Sequence, residues 1–370
     1  MSRTVAVLGG GQLARMMIPP AVELGIDLRV LSAQDGDSAA LATTAVGDHR
    51  DAQTVLEFAA GADAVTFDHE HVPQEVLHAM LAAGLAVRPG PDALLYAQDK
   101  LAMRARLSEL GLPVPEWAAI EGPADLDGFL AEHGGVAVVK TPRGGYDGKG
   151  VRLVHSADEV ADWFAVGQTL LAEEVVEYRR ELAQLVARRP SGDIVAWQVV
   201  ETVQRDGVCV EVIAPAPDSS GRLGEVAREV AATIARELGV TGVLAVELFE
   251  TTDERILVNE LAMRPHNSGH WTIEGAVTSQ FEQHLRAVLD LPLGSTDARQ
   301  PYAVMVNVLG GPDDPASRYA AALADQPDAK LHFYGKSARP GRKVGHVTAV
   351  GDDLDDVVFR ARAAAAFFEV

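Results

Sequence analysis

The sequence predicts a mixed α/β protein that begins with an open parallel sheet. Strand and helix patterns alternate over the first 90 residues, a glycine-rich loop then lies between two short strand patterns, and hairpin patterns alternate with amphipathic helices further on. Strands that alternate with helices form parallel βαβ units in a doubly wound sheet. We therefore expect a parallel N-terminal sheet, a small antiparallel unit and a mixed α+β remainder.

The elements of the first region follow from apolar patterning. Five short apolar runs predict strands, and three stretches with helical spacing predict the helices between them. The third helix begins at Pro73, where the missing N–H is not needed by the first turn. The predicted strands cover residues 4–8, 27–31, 45–46, 62–67 and 85–87, and the predicted helices cover 12–24, 51–60 and 73–83.

The remaining elements are read in the same way. Gly111 follows a helical stretch as a C-cap, and prolines follow it. Residues 291–300 have the composition of a connection, and the tail from 301 predicts short strands and a last alanine-rich helix. The predicted helices are 100–110, 223–238 and 277–289; the predicted strands are 136–139, 151–154 and 170–176, with hairpins of 194–202 with 208–214 and of 243–249 with 256–261.

Composition excludes several classes of protein. The 370 residues include 32 basic and 53 acidic side chains, a net charge of −21 that argues against a general nucleic-acid binder. With 48% hydrophobic residues the chain is not intrinsically disordered, and the single Cys209 excludes an internal disulfide or a cysteine-based zinc site. Because neither a signal peptide nor an apolar run of about 20 residues is visible, we expect a soluble cytoplasmic protein without a membrane partner.

A glycine motif follows the first strand. Gly9-Gly10-Gly11-Gln12-Leu13-Ala14 satisfies G-x-G-x-x-G/A, in which backbone amides and a helix N-terminus approach a phosphate. A dinucleotide site also needs an acid about 20 residues on, where this chain has Ser32-Ala33-Gln34. A single-phosphate or substrate-edge role is therefore favoured over a dinucleotide site, and a merely tight turn stays open.

A second glycine-rich segment lies between two predicted strands. Residues 140–150, KTPRGGYDGKG, contain four glycines and three basic side chains, and they do not form a Walker A motif, which lies between a strand and a helix. A glycine hairpin with lysines can fold over a polyphosphate as a lid. The alternative is an ordinary solvated hairpin.

Carboxylates occur within the last predicted hairpin. A five-residue turn places Glu247 opposite Asn259, and a shift of one residue would place it opposite Glu260. Two carboxylates and an amide oxygen are hard ligands that suit Mg²⁺. The alternative is that these acids face solvent or pair with arginines.

Three polar clusters complete the candidates. Residues 264–272, RPHNSGHWT, suit a phosphorylated substrate rich in hydroxyls, or form a structural turn. Residues 330–346 carry five basic side chains and no acid, which makes a local positive field or a solvated face. Among His49, Asp68, His69, Glu70 and His71 the spacing does not encode a zinc site, and we expect Glu70 to contact substrate at the strand end.

In this order, the motifs resemble those of the ATP-grasp superfamily, and within it the 5-(carboxyamino)imidazole ribonucleotide synthase family. The resemblance spans nearly the whole chain, and its specific parts are HNSGHW at 266–271 and YGK with PGRKVGH at 334–346. It implies an ATP-grasp fold with a Rossmann-like domain at 1–99, an ATP-grasp region at 100–295 with a lid subdomain at about 112–172, and a C-terminal segment at 296–370. It also implies a homodimer.

The resemblance implies a reaction and a nucleotide site. ATP phosphorylates bicarbonate to carboxyphosphate, which carboxylates 5-aminoimidazole ribonucleotide with Mg²⁺, or Mn²⁺ in its place. Lys100 and Lys140 match phosphate-holding positions, Glu181 matches a ribose ligand, and Gln204 replaces a family histidine near the nucleotide. The implied lid comprises Gly145, Tyr146, Asp147, Gly148, Lys149, Gly150 and Val151, and the implied adenine hinge comprises Glu173, Glu174, Val175 and Val176.

The same resemblance implies the metal and substrate residues. Glu247, Glu260 and Asn259 match the metal site, and Asn259 and Glu260 also meet the nucleotide. Arg264 is the candidate for stabilising charge during phosphoryl transfer, and the other implied catalytic residues are Lys336, Arg342, Tyr146 and Asp147. The implied substrate contacts are Gln12, Leu13, Glu70, Arg264, His266, Asn267, Ser268, Lys336, Arg342 and Lys343.

Rival functions remain at this stage. A formate-dependent glycinamide ribonucleotide transformylase, or another ATP-grasp ligase, would share most of these motifs. A nicotinamide-dependent oxidoreductase or a nucleotide-binding regulator could use the N-terminal glycines alone.

Overall fold

The N-terminal sheet is parallel, as the alternating pattern predicts. The computed structural model describes residues 2–145 and 149–369. The sheet order is β3-β2-β1-β4, and all three pairings are parallel. Its strands are β1 (Thr4–Leu8), β2 (Asp27–Ser32), β3 (Thr43–Val46) and β4 (Ala64–Phe67), and the helices of this region are α1 (Gln12–Glu23), α2 (Ala52–Ala59), α3 (Gln74–Ala82) and α4 (Pro91–Gln98).

A small antiparallel sheet follows helix α5 (Lys100–Glu109). Asp99 caps this helix by accepting the backbone N–H of Ala102, which fixes Lys100 as its first residue. The sheet order is β5-β8-β6-β7, so the glycine-rich segment joins two paired antiparallel strands. Its elements are β5 (Trp117–Ile120), α6 (Pro123–Glu132), β6 (Ala137–Lys140), β7 (Val151–Val154), α7 (Ala161–Phe164) and β8 (Leu170–Glu173).

The largest sheet runs through the remainder of the chain. Its order is β14-β13-β9-β11-β12-β15-β17-β16, with β10 pairing β9, so strands before and after residue 296 belong to one sheet. The strands are β9 (Tyr178–Arg188), β10 (Ile194–Ala196), β11 (Val200–Arg205), β12 (Val208–Ala214), β13 (Gly242–Thr251), β14 (Ile256–Ala262), β15 (Tyr302–Leu309), β16 (Lys330–Phe333) and β17 (Lys343–Gly351). The helices are α8 (Arg222–Glu237), α9 (Thr272–Gly275), α10 (Gln280–Val288), α11 (Tyr319–Asp325) and α12 (Leu354–Ala366).

Shared apolar cores connect the sheets and helices. The apolar faces of α2, α3 and α8 share a core with β4, β13 and β14, and α1 packs on α10 in a second core. His284 of α10 lies at the contact between the N-terminal and the large sheet, because its ring hydrogen-bonds the Thr66 hydroxyl (2.7 Å) and accepts the Val243 N–H (3.0 Å). His284 therefore connects the N-terminal sheet and the large sheet, both of which carry site residues, by direct hydrogen bonds.

The element predictions were partly wrong. Sequence reasoning missed β9, α4, α6 and β5, and it joined β10 and β11 into one strand although the ladder is interrupted between them. The predicted helix at 277–289 starts later, since Ser279 caps α10. No helix within 2–145 and 149–369 combines the length and the apolar character needed to cross a bilayer.

Candidate active site

Two lysines line a cleft between the small sheet and the large one. Lys140 ends β6, and its Nζ lies 2.6 Å from Glu173 Oε2 and 3.3 Å from Asn259 Oδ1. Lys100 starts α5, and its Nζ lies 3.0 Å from Glu260 Oε1. Both lysines are mostly buried, so their charges are weakly screened. The structure brings these two predicted phosphate ligands to neighbouring residues of strand β14, Asn259 and Glu260.

Glu173 lies between two cations. Its carboxylate is ion-paired with Arg104 on one oxygen and with Lys140 on the other. Burial opposes its ionisation, but Arg104 and Lys140 together outweigh burial and lower the pKa of Glu173 below its ordinary value. Glu173 is therefore an anion in the folded chain, and its side chain belongs to the charge network of the cleft.

The predicted adenine hinge leaves the small sheet directly after Glu173. Strand β8 ends there, and residues 174–177 are without regular structure before β9 begins. The Glu174 N–H donates to the Glu116 carbonyl (N···O 2.9 Å), and Val175 is exposed. Val176, the next residue, is half-buried. An extended segment with an exposed apolar side chain is suited to packing on a flat base.

Glu181 lies close to this segment on β9. Tyr178 Oη donates to Glu181 Oε1 at 3.3 Å, and the Gln204 side chain also hydrogen-bonds the carboxylate. Burial raises the pKa of Glu181, while the two hydrogen bonds and the charge of Lys140 act in the opposite direction. Glu181, the predicted ribose ligand, is thus in contact with Gln204, which was expected to lie near the nucleotide.

The carboxylate pair is formed by a bulge. Glu247 pairs with Glu260, whereas Leu248 pairs with Val258, so Asn259 is the extra residue of the bulged strand. The uninterrupted register that would have placed Glu247 opposite Asn259 is therefore wrong. A bulge re-aims side chains, and here Asn259 reaches Lys140 while its neighbour Glu260 reaches Lys100.

The electrostatics of this pair suit a cation. Burial raises the pKa of Glu247, and the nearby charges of Glu260 and Glu181 raise it further. Among the described residues, groups of three or more His, Cys, Asp or Glu that could hold a metal are absent. Two carboxylates and one amide leave coordination positions for water and phosphate oxygens, which is the manner in which Mg²⁺ is commonly held.

Arg264 joins the cleft to the N-terminal sheet. It follows β14, and its Nε donates to Glu70 Oε2 at 2.7 Å. Glu70 lies three residues after β4, at the carboxyl edge of the parallel sheet. The predicted catalytic arginine and the predicted substrate-edge acid are therefore in direct contact.

The polar turn after Arg264 is internally bonded. His266 Nδ1 lies 2.9 Å from Ser268 Oγ, and its Nε2 lies 3.7 Å from Glu247 Oε1. Burial, followed by the charges of Arg264 and Lys343, lowers the pKa of His266 well below its ordinary value, so the ring is neutral. The buried Asn267 amide is bonded to Asn307 on β15 at 2.8–2.9 Å. This part of the turn contributes shape and neutral hydrogen-bonding groups.

A cavity of about 490 Å³ lies at the glycine motif and is lined on one side by Asp68 and His69. Its basic wall comes from the tail, where Lys336 donates to Gln12 and Arg342 donates to the Ser337 hydroxyl at 2.9 Å. Lys343 begins β17 close enough to the cleft to lower the pKa of Glu247. The lining comprises Gly9, Gly10, Gly11, Ala33, Gln34, Gly36, Asp37, Ser38, His49, Asp68, His69, Gly335, Lys336, Ser337, Arg339 and Arg342.

The glycine motif is occupied by a protein carboxylate. Asp68 accepts the Gly11 N–H at 2.6 Å and the Ala14 N–H at 2.9 Å, so it caps α1. A Cβ at residue 11 would collide with the same carboxylate, which explains the glycine there. These two amides are thus already used, which argues against a dinucleotide pyrophosphate at the helix N-terminus.

The described residues place Leu13 away from the site and include only part of the predicted lid. Leu13, expected to contact substrate, is 5% exposed and packs in the core between α1 and α10. Tyr146, Asp147 and Gly148 of the predicted lid lie outside the described residues. At the base of that segment, Thr141 N–H donates to the Gly150 carbonyl at 2.9 Å, and Gly150 has a φ of +70°. Its described neighbours Gly145, Lys149 and Val151 lie at the same base.

Sequence reasoning missed some residues of the site. Arg104 has no motif of its own, although its position four residues after Lys100 places both side chains on one face of α5. Asp68 was noticed, but its contact with the glycine motif depends on a pairing between residues 57 apart in the sequence. Ser337 lines the cavity without having been singled out, and Arg339, which also lines it, was noted only as one of the five basic residues of 330–346.

Three family models match successive parts of the chain. They are the ribonucleotide synthetase pre-ATP-grasp domain at residues 1–98, the ATP-grasp domain at 105–281, and the phosphoribosylaminoimidazole carboxylase C-terminal domain at 303–360. Together they leave only short connecting stretches and the C-terminal end unmatched.

Whole-chain comparisons agree with the family models. The N5-carboxyaminoimidazole ribonucleotide synthase of Mycobacterium tuberculosis is 54% identical, covering 98% of this chain and 86% of that protein. The Thermus thermophilus synthetase structure has a TM-score of 0.90 at 37% identity and covers 99% of each chain. The Aspergillus clavatus synthase, solved with ADP and 5-aminoimidazole ribonucleotide, has a TM-score of 0.89 at 32% identity and covers 99% of this chain and 98% of that one.

Proposed function

The chain belongs to the N5-carboxyaminoimidazole ribonucleotide synthase family of ATP-grasp enzymes, and we propose that it carboxylates 5-aminoimidazole ribonucleotide. In the proposed reaction, the γ-phosphoryl group of ATP passes to bicarbonate and gives carboxyphosphate. The exocyclic amine of the ribonucleotide then attacks the carboxyl carbon. ADP and phosphate leave, and a carbamate remains on the ribonucleotide.

One observation carries this proposal. The ion pair between Arg264 and Glu70 joins the segment that follows strand β14 to the segment that follows Asp68 and His69, two residues that line the basic cavity. Arg264 lies four residues after Glu260, and Glu70 lies two residues after the cavity-lining Asp68. A reaction that transfers a group from a nucleotide to a second anionic substrate needs a reacting point between two anion sites. We assign this pair to that point because Arg264 closely follows the candidate metal residues in sequence and Glu70 closely follows residues of the cavity wall.

The nucleotide half of the site follows from its charges. Lys100 and Lys140 hold the ATP phosphates, residues 173–176 receive the adenine, and Glu181 accepts the ribose hydroxyls with Gln204 beside it. Glu247, Glu260 and Asn259 would hold Mg²⁺, which when bound neutralises phosphate charge and relieves the repulsion between the carboxylates. The lid from Gly145 to Val151, with Tyr146 and Asp147, would exclude water from carboxyphosphate.

The substrate half uses hydrogen bonds and basic groups. Lys336 and Arg342 hold the ribonucleotide phosphate, with Lys343 adding positive charge, and Gln12 orients Lys336. The neutral His266 and its partner Ser268 suit bicarbonate, which can both donate and accept. Arg264 stabilises the charge that develops on the transferring phosphoryl group, since a guanidinium matches its oxygens in a bidentate manner.

The assembly and setting are also proposals. We expect a cytoplasmic homodimer that uses Mg²⁺, or Mn²⁺ in its place. The net charge of −21 would repel nucleic-acid phosphates, so we expect small-molecule substrates only. The division at 1–99, 100–295 and 296–370, with a lid subdomain at about 112–172, stays a prediction.

Phosphate release tests the function directly. Mg-ATP is supplied with bicarbonate, with 5-aminoimidazole ribonucleotide, and with both, and we expect rapid phosphate release only with both. The rival is tested with formate and glycinamide ribonucleotide. Turnover that requires formate and ignores bicarbonate would favour the transformylase. Thermal stabilisation by NADH but not by Mg-ATP would contradict any ATP-grasp assignment.

A further inference from the structure

A buried arginine stands behind the nucleotide cleft. Arg104 is fully buried on α5, one helical turn after Lys100. Removing a guanidinium from water is costly unless its charge and donors are matched. Arg104 Nε is matched by a Glu173 carboxylate oxygen and Nη2 by the Asn259 carbonyl, whereas the buried Nη1 has no hydrogen-bond partner among the described residues. Both partners belong to the strands that carry the candidate nucleotide and metal residues.

The carbonyl that Arg104 contacts belongs to the bulge. Asn259 has no partner residue in the β13–β14 register, because Glu260 pairs with Glu247 and Val258 pairs with Leu248. The Nη2 atom of Arg104 donates to the Asn259 carbonyl at 2.7 Å. Arg104 thereby stabilises the irregular backbone that turns Asn259 toward Lys140 while Glu260 reaches Lys100.

Arg104 and Lys140 share the Glu173 carboxylate. One oxygen of Glu173 pairs with Arg104, and the other lies 2.6 Å from Lys140 Nζ. A lysine ammonium has three N–H donors, and here two are directed to Glu173 and to the Asn259 amide. The third can meet a phosphate. Without Arg104, Lys140 would be the sole counter-ion of a buried carboxylate and would be drawn more tightly to it.

We propose that Arg104 is a positioning residue for the nucleotide: it fixes Lys140 through Glu173, and it fixes Asn259 and Glu260 through the bulge carbonyl. This role rests on the proposed function for the identity of the ligand. It assigns Arg104 no contact with substrate. In this proposal, the distance between Lys140 and strand β14, which carries the candidate metal ligands, is set before any ligand binds.

The test compares Arg104→Lys and Arg104→Met with the wild type. Mg-ATP affinity is measured by calorimetry without bicarbonate or ribonucleotide, and KM is then measured for each substrate in turnover. We expect Arg104→Met to weaken Mg-ATP binding by roughly 10- to 100-fold, as loss of an outer partner of a metal site typically does. The ribonucleotide KM should change by less than about twofold, since its residues lie elsewhere. Arg104→Lys, which retains one charge but cannot span both partners, should lie between.

Two further variants separate positioning from stability. Arg180 is another arginine with little exposure, and it is paired with Glu250 and Glu201. As the neighbour of Glu181 in the strand, it points to the opposite face of β9. Arg180→Lys should lower the melting temperature and leave Mg-ATP affinity unchanged. Adding Glu173→Gln to Arg104→Met should recover part of the affinity, because Lys140 is then no longer drawn to a buried carboxylate.

Some outcomes would overturn the proposal. One is wild-type Mg-ATP affinity in a folded Arg104→Met or Arg104→Lys variant, and another is an equal loss of affinity in Arg180→Lys. Failure of the proposed function looks different: the wild type would bind Mg-ATP but show no turnover with bicarbonate and 5-aminoimidazole ribonucleotide. The binding measurements on Arg104 would still decide its role in that case.

Discussion

The nucleotide cleft and the glycine-motif cavity both bind anions in our proposal, but their carboxylates have different hydrogen-bond donors. In the cleft, carboxylates are the partners: Lys140 pairs with Glu173 and Lys100 pairs with Glu260. In the cavity, Lys336 donates to the Gln12 amide and Arg342 donates to Ser337. The acids of the cavity wall, Asp37 and Asp68, accept hydrogen bonds from neutral hydroxyl, amide and backbone groups.

This difference teaches how each half should respond to its ligand. A nucleotide entering the cleft exchanges one set of charge pairs for another, so its affinity depends on geometry and on the metal. The cavity wall carries Lys336, Arg339 and Arg342 together with Asp37 and Asp68, so the affinity of a phosphate there depends on the net charge of the wall and on ionic strength. Single substitutions should therefore be most damaging in the cleft and milder in the cavity.

The largest effect is expected from Glu260→Gln. The change keeps the shape but removes a charge that pairs with Lys100 and would hold Mg²⁺. Because a metal ion supplies several kcal/mol of charge stabilisation, kcat/KM should fall on the order of 1,000-fold. Steady-state phosphate release measures the loss, and circular dichroism should show an intact fold.

Glu254→Gln is the matched control for this substitution. Glu254 lies exposed in the turn of the same hairpin, so it removes an equal charge at a distance from the cleft. It should leave turnover unchanged. Normal turnover in Glu260→Gln would show that the metal assignment is wrong.

Arg264→Lys comes next in size. A lysine retains the charge but not the planar pair of donors, and Glu70 would hold it less firmly. We expect kcat to fall by roughly 100-fold with little change in either KM, since the lost contact forms mainly in the transition state. Arg255→Lys, an exposed arginine paired with Asp253 on the same hairpin, serves as the control. A rise in KM with unchanged kcat would assign Arg264 to ground-state binding instead.

Prediction from sequence succeeded where patterns are local. The parallel β1–β4 sheet and the glycine-rich segment between antiparallel strands follow from alternation and glycine content within short windows. Strand β9 was missed because its first residues, Tyr178-Arg-Arg-Glu181, are polar and read as a solvated connection. Arg180 in fact pairs with Glu250 and Glu201 on the neighbouring strands β13 and β11, and a single segment cannot show that.

The site shows the same limit. Charged and polar residue types are visible in the sequence, and the resemblance to a family supplies roles for many of them. The buried Arg104 and the cap formed by Asp68 depend on partners between 54 and 155 positions away, and the bulge at Asn259 interrupts a hairpin register that alternation predicts as regular. No local pattern records such pairings.

In the cavity, Arg342→Ala should produce a moderate effect. Loss of one charge-assisted contact to a phosphate corresponds to a rise of roughly tenfold in the KM of the ribonucleotide. The KM of Mg-ATP should not change, and the dependence of the ribonucleotide KM on salt should become less steep. Lys330→Ala removes an exposed charge from the same tail segment and is the control. Equal effects on both KM values would remove the contrast between the two halves.

The smallest effect concerns acid stability and the carboxylate shared in the cleft. Because Arg104 and Lys140 outweigh burial and lower the pKa of Glu173, this carboxylate stabilises the fold above its ordinary unfolded pKa. That stabilisation is lost as the pH falls through the lower folded pKa. Melting temperatures of the wild type should therefore decline between about pH 5 and pH 3 more steeply than those of Glu173→Gln, which has no carboxylate to protonate. Parallel declines would mean that the charge pairs of the cleft position its side chains without contributing to the free energy of unfolding. The cleft and the cavity would then differ in where their charges lie and not in what those charges contribute to stability.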